Sequence, residues 1–158
     1  MLRTKPIPDR WADYTAFGER ITLTPFIRSK TLLSERLCSE LRSTVPHYAP
    51  QNLVQEIRKT GHNAKMVINL TATERYYDPE IFSRLNVDYV KIMVPGDLLP
   101  AIELHDDAAI CVHCTHGVNR TGYFICKYLV NVEGWEAQEA IRQFEKRRGE
   151  KVYTSVSG

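Results

Sequence analysis

The chain has 158 residues, of which 43% are hydrophobic and 25% charged, and its net charge at pH 7 is +2. This size and composition are typical of one globular domain, and we expect residues 1–158 to form it. No apolar run has the length of a membrane span, and the N-terminal residues lack the apolar stretch of a signal peptide. The sequence therefore predicts an intracellular protein without a membrane partner, whose four cysteines are thiols.

The predicted elements alternate between strands and helices along the chain. In chain order they are a strand at 24–28, helices at 33–41 and 52–59, a strand at 65–70, a helix at 79–85, a strand at 89–94, a turn near 100–104, a strand at 109–113, and helices at 121–132 and 136–147. The last three strands are nearly continuous apolar runs, typical of strands covered on both faces. The pattern predicts an α/β fold with a mostly parallel central sheet flanked by helices, and an active site at the carboxyl ends of the strands.

The segment 113–122, HCTHGVNRTG, lies between the last predicted strand and a helix. A short turn containing glycine can aim successive backbone N–H groups inward, and the helix that follows adds its free N–H groups and the positive end of its dipole. This arrangement predicts a phosphate-binding loop between the strand and the helix. The candidate phosphate-binding residues are Thr115, His116, Gly117, Val118, Asn119 and Arg120.

The same segment contains the candidate catalytic residues. Cys114 opens the loop, where a thiolate is stabilised, and we expect it to attack phosphorus and form a phosphocysteine. Arg120 offers a planar fork of donors for two phosphate oxygens, whose charge grows in the transition state. We expect the Thr121 hydroxyl to hydrogen-bond the sulfur and ease its departure, and His113 to orient the loop from behind.

The sequence leaves two other interpretations of the cysteines open. The Cys111-x-x-Cys114 pair, with His113 and His116, resembles half of a zinc site, but no second pair of ligands follows at a suitable spacing. Because Cys111 precedes Cys114 by three residues, it could also trap an oxidised Cys114 as a reversible disulfide. No metal or other cofactor is expected for the phosphatase chemistry itself.

The loop sequence HCTHGVNRTG resembles that of the cysteine-dependent phosphatases that act on RNA 5′ ends. This group includes the triphosphatase domain of animal mRNA-capping enzymes, the baculoviral RNA 5′-phosphatases and the RNA/RNP-complex-interacting phosphatases, and the stand-alone members resemble the chain most. Further matches occur at 10–18, 25–31, 68–78, 123–126 and 140–149.

The resemblance implies a cysteine-phosphatase fold and metal-independent removal of the γ- and β-phosphates from RNA 5′ ends through a phosphocysteine. It implies RNA ends as the partner, a nuclear location and a monomer. No run of aromatic residues indicates reading of the RNA sequence, so we expect recognition of the 5′ end alone. One alternative is a dual-specificity protein phosphatase acting on phosphoproteins, and another is a weakly active module that binds phosphate or RNA ends.

The sequence departs from the group in two places. The segment 97–107 is about one helix shorter than in the group. The tail after Gly149 lacks the segment whose arginine helps to bind the phosphate chain in the group. In the group's fold a general acid is usually an aspartate upstream of the nucleophile, and Asp97 follows the strand ending at Val94. Asp78 resembles an acidic residue important in the capping enzymes. Arg75 and Lys91 flank loops expected near Cys114, where they would meet the β- and α-phosphates.

Overall fold

A computed structural model of the chain describes residues 7–93 and 106–148. Its strands are β1 (Phe26–Ser29), β2 (Asn63–Asn69), β3 (Asp88–Lys91) and β4 (Ala108–His113). Its helices are α1 (Glu35–Cys38), α2 (Pro50–Lys59), α3 (Glu80–Arg84), α4 (Asn119–Asn131) and α5 (Ala137–Arg148), and a 3-10 turn occupies Trp11–Asp13.

The four strands form one sheet in the order β1-β4-β2-β3, and every neighbouring pair is parallel. The registers align Ser29 with His113, His113 with Asn69, and Asn69 with Lys91. These four residues therefore lie in a row at the carboxyl edge of the sheet. In a parallel sheet this is the edge at which loops meet and ligands bind.

Helices cover both faces of the sheet. On one face, apolar residues of α1, α2 and α3 pack with Val67 and Cys111 in a cluster that we call the first core. On the other face, residues of α4 and α5 pack with Ile68 and Val112 in the second core, which also contains Cys114. Alternate residues of β2 and β4 thus belong to different cores, as the two-residue side-chain period of a strand requires.

The predicted α/β fold with a parallel central sheet is confirmed, and the four predicted strands all form. One expectation is wrong: β3 is an edge strand, so it is only partly buried and is not covered like β2 and β4. The predicted turn near 100–104 lies outside the described residues. Within the described part of the chain, no helix is both long and apolar enough to cross a bilayer.

Candidate active site

The phosphate loop leaves β4 after His113 and enters α4 at Asn119. Gly117 has a φ of +75°, a conformation that L side chains rarely adopt. A Cβ atom at this position would lie 2.5 Å from the backbone carbonyl of Ser29 and 2.7 Å from the backbone nitrogen of Lys30. The loop therefore packs directly against the end of β1, and glycine is the residue that permits this approach.

Cys114 lies at the start of the loop and is only 6% exposed. The hydroxyl of Thr121, buried in the first turn of α4, donates a hydrogen bond to the Cys114 sulfur over 3.1 Å. The unpaired N–H groups at the start of a helix and its dipole both favour negative charge. The structure thus gives the sulfur a hydroxyl donor and places it beside a helix N-terminus.

Arg120 lies in the first turn of α4 and is exposed. Its guanidinium Nη1 donates to the carbonyl oxygen of Leu70 over 3.4 Å, which holds the side chain near the carboxyl end of β2. Asn119, the first residue of α4, is exposed as well, whereas Val118 is buried and precedes the helix. The remaining guanidinium N–H groups suit bidentate contact with phosphate oxygens.

His113 is fully buried behind the loop, and its ring forms a hydrogen bond with Tyr77. Burial lowers the pKa of His113 to about 4, so the imidazole is neutral at pH 7. Burial also raises the pKa of Tyr77, which keeps its hydroxyl protonated. The Tyr77 hydroxyl and His113 Nε2 are 2.7 Å apart, and His113 Nδ1 makes a longer contact of 3.4 Å with the Cys114 carbonyl. A carbonyl only accepts, so Nδ1 carries the proton and Tyr77 donates to Nε2.

A segment that we call the N-terminal segment, residues 9–17, packs against the loop from the β1 side. The buried ammonium of Lys30 donates to the carbonyls of Trp11 and Tyr14 over 2.9 and 2.8 Å, and it lies 3.7 Å from the centre of the Trp11 ring. Trp11 Nε1 donates to the Thr31 carbonyl, and the Thr31 backbone N–H donates to the Thr115 carbonyl. These contacts tie the N-terminal segment, the end of β1 and the loop together.

The His116 side chain contacts the N-terminal segment. Its ring stacks on Tyr14 with the ring centres 4.5 Å apart, and Nε2 lies 2.7 Å from the carbonyl oxygen of Asp9. Sequence reasoning placed His116 in the loop but missed Tyr14 and Lys30 as its surroundings. A lysine directly after the first apolar strand, and aromatic residues upstream of that strand, were the available signal.

The other charged candidates lie around the same edge of the sheet, with Arg75 and Asp78 in the connection between β2 and α3 and Lys91 at the end of β3. Lys91 ends β3 and donates to the Thr73 carbonyl over 2.8 Å, and partial burial lowers the pKa of its ammonium. Arg75 lies over the Tyr76 ring, 5.2 Å from its centre. Asp78 accepts a hydrogen bond from the Glu80 backbone at the start of α3. Asp97, the candidate general acid, lies outside the described residues.

Cys111 and Cys114 face opposite sides of the sheet, Cys111 in the first core and Cys114 in the second. The structure contradicts a disulfide between them, and it contradicts a metal ion bound by both, because either would require the two sulfurs to meet. Burial also raises the pKa of the Cys111 thiol to about 12, which makes it unreactive. Across residues 7–93 and 106–148, no three histidine, cysteine or acidic side chains are grouped to hold a metal ion.

Mild peroxide is therefore expected to oxidise Cys114 without producing a bridge to Cys111, since the sheet separates the two thiols. Peptide mapping of the oxidised protein under non-reducing conditions checks this result. Cys111→Ser serves as the control, because it should leave the oxidation products of Cys114 unchanged. Recovery of a peptide pair linked through Cys111 and Cys114 would contradict the placement of the two residues.

The family model of the dual specificity phosphatase catalytic domain matches residues 104–156. The RNA/RNP complex-1-interacting phosphatase of Homo sapiens is 37% identical over 159 residues, covering 90% of this chain and 48% of that protein. A tyrosine-protein phosphatase of Autographa californica nuclear polyhedrosis virus is 35% identical and is covered over 92% of both chains. The chain thus spans about half the length of the human relative and nearly all of the viral one.

Solved structures show the same architecture at low sequence identity. Tk-PTP in its active form has a TM-score of 0.57 and 17% identity, covering 87% of this chain and 88% of that one. PTPMT1 in complex with PI(5)P has a TM-score of 0.52 and 16% identity, covering 85% of each chain. The likeness shows that the fold is shared.

Proposed function

Because the chain belongs to the dual-specificity-type cysteine phosphatases, in the group of the RNA/RNP complex-1-interacting and baculoviral tyrosine-protein phosphatases, we propose that it hydrolyses the 5′ polyphosphate end of RNA. In this proposal the Cys114 sulfur attacks the terminal phosphorus and the phosphate oxygen that bridges to the next phosphorus leaves. Water then attacks the phosphocysteine, and the sulfur leaves as a thiolate. The products are inorganic phosphate and an RNA shortened by one phosphate, first at the γ- and then at the β-position.

The contact between Thr121 and the Cys114 sulfur is the observation that carries this mechanism. A hydroxyl that donates to sulfur over 3.1 Å stabilises the thiolate as nucleophile and again as leaving group. Arg120 is exposed in the first turn of α4, and its positive charge stabilises the phosphate oxygens as their negative charge grows. These parts serve any phosphate monoester or anhydride, so they support the chemistry without choosing the substrate.

The choice of RNA ends rests on the groups around the loop. Lys91 belongs to the row of residues at the carboxyl edge of the sheet, and Arg75 lies in the connection between β2 and α3. Cationic side chains beyond the first phosphate suit a polyphosphate chain, whose charge must be neutralised as the terminal phosphate leaves. The human relative is named for an interaction with an RNA/RNP complex. We extend the proposal to a nuclear site of action, which localisation of the tagged full-length protein would check.

A protein phosphatase is the second candidate, since the viral relative is named a tyrosine-protein phosphatase. Release of phosphate from triphosphate-ended RNA and from a phosphotyrosine peptide, measured side by side with a chelator present, separates the two. We expect the larger kcat/KM with RNA. A preference for the peptide would favour the second candidate, and binding of RNA ends without turnover would indicate a phosphate-binding module.

Asp97→Asn is expected to affect the two substrates differently. A phosphate leaving group is weakly basic and needs little protonation, so activity on triphosphate-ended RNA should fall by no more than about threefold. With phosphotyrosine, the leaving group needs a proton, so loss of the general acid should lower activity by about a hundredfold or more. The measurement is kcat/KM for both substrates. Asp107→Asn is the matched control, since this exposed aspartate, which also precedes Cys114 in the sequence, makes its described contact through the backbone carbonyl. Equally large losses on both substrates would indicate an acid-assisted protein phosphatase.

A further inference from the structure

Tyr14 and His116 form a stacked pair of rings beside the phosphate loop, which we call the aromatic pair. The ring centres are 4.5 Å apart, and the ring planes are inclined by 29°. His116 is two residues after Cys114, and both rings are partly exposed. A partly exposed aromatic surface therefore lies beside the phosphate loop, and the phosphate-transfer steps described above do not use its rings.

The aromatic pair is held in position from both sides. The Asp9 carbonyl can only accept, so His116 Nε2 carries the proton and donates to it over 2.7 Å, which fixes the orientation of the imidazole. The ammonium of Lys30 donates to the Tyr14 carbonyl over 2.8 Å and fixes the backbone that carries the phenol ring. A surface ordered in advance loses little conformational freedom when a ligand stacks on it.

The position of the aromatic pair suits the group that follows a bound phosphate chain. In a 5′-triphosphate end, the first nucleoside is tethered to the phosphates that the loop holds, so its base stays within reach of the residues around the loop. Every base has a π-face, and stacking of a base on an aromatic side chain is tolerant of sequence. An aromatic surface at this place can distinguish a nucleic-acid end from a bare polyphosphate without reading the identity of the base.

We propose that the aromatic pair stacks on the first nucleoside of a 5′-polyphosphate RNA and so selects nucleic-acid ends over inorganic polyphosphate. This inference rests on the proposed RNA-end activity and names the part of the substrate that lies beyond the phosphates. Tyr14 is then a specificity-determining residue, and its effect appears in substrate binding and not in the chemical step.

The test compares KM values for triphosphate-ended RNA and inorganic tripolyphosphate in the full chain. Tyr14→Leu keeps an apolar side chain and leaves the Lys30 contact in place, because that hydrogen bond is made to the main chain. We expect the variant to raise the KM for RNA about fivefold to a hundredfold more than the KM for tripolyphosphate, and Tyr14→Phe to stay near wild type. Tyr123→Leu is the matched control, an exposed tyrosine on α4 whose described ring contact is with Lys127.

A change in the substrate provides a second readout that needs no variant. With the wild-type protein, RNA whose first nucleotide lacks its base should have a KM raised as much as Tyr14→Leu raises the KM for intact RNA. With that RNA, Tyr14→Leu should raise the KM no further. Equal KM changes for RNA and tripolyphosphate would mean that Tyr14 only supports the loop. If neither the Tyr14→Leu substitution nor removal of the first base changed the KM for RNA, the inference would be overturned, while the proposed function would stand. A wild-type protein that releases phosphate from phosphotyrosine but not from RNA would overturn the proposed function, and the inference with it.

Discussion

Cys114→Ser is expected to abolish phosphate release while leaving phosphate binding intact. A serine hydroxyl needs an adjacent base to become a nucleophile, and the neighbouring His113 is buried with its two ring nitrogens directed at Tyr77 and the Cys114 carbonyl. The loop amides, Arg120 and the α4 N-terminus remain, so inorganic phosphate should still stabilise the variant against unfolding. The measurements are single-turnover phosphate release and the shift of Tm with phosphate.

Cys126→Ser is the matched control for this substitution, because Cys126 lies in α4 and is only partly buried. Its serine variant should retain activity close to that of the wild type. Residual turnover of the Cys114→Ser variant above about a hundredth of the wild-type rate would rule out the covalent mechanism. Loss of phosphate binding along with turnover would instead mean that the substitution disturbs the loop.

Arg120→Lys is expected to reduce kcat/KM nearly as much as Arg120→Ala, in both cases by about a hundredfold or more. An ammonium is a compact charge and cannot hold two phosphate oxygens with parallel N–H donors as a guanidinium does. The Arg120 side chain is also directed by its hydrogen bond to the Leu70 carbonyl at the end of β2. Steady-state kinetics of the two variants on the same substrate give the comparison.

The control for the Arg120 variants is Arg142→Lys, a conservative change at an arginine of α5 that pairs with Glu139 on the protein surface. This variant should behave like the wild type. If the Arg120→Lys variant retained most of the rate, Arg120 would act only as a point charge. A fall in kcat with an unchanged KM would show that the guanidinium acts mainly in the transition state.

The parts of the fold that the sequence predicted correctly are those with a local signal. The strands β2 and β4 are nearly continuous apolar runs, and their burial on both faces follows directly from that pattern. The position of β3 at the edge depends on the order of the strands, and the apolar run alone does not contain that information. The opposite placement of Cys111 and Cys114 follows from the alternation of side chains in β4 once the end of that strand is known.

The surroundings of the loop could not be predicted because they depend on contacts between distant parts of the chain. Asp9 and His116 are separated by 107 positions, and the acceptor on Asp9 is a main-chain carbonyl, which leaves no trace in the sequence. Lys30 is buried although lysine is usually exposed, and its described acceptors are also main-chain carbonyls. Such contacts are specified by the tertiary fold and become visible only with it.

The strand order β1-β4-β2-β3 has a consequence for how the protein folds. In this order β4, the last of the four described strands along the chain, separates β1 and β2, the first two of them. Folding must therefore bring together segments about 80 residues apart, such as those of Phe26 and Ile110, before the four-stranded sheet is complete. Contacts so distant in sequence slow folding because the entropy of loop closure opposes them. The strand that ends one residue before the nucleophile also completes the sheet, so we expect the catalytic thiol to become protected only at the final cooperative step of folding.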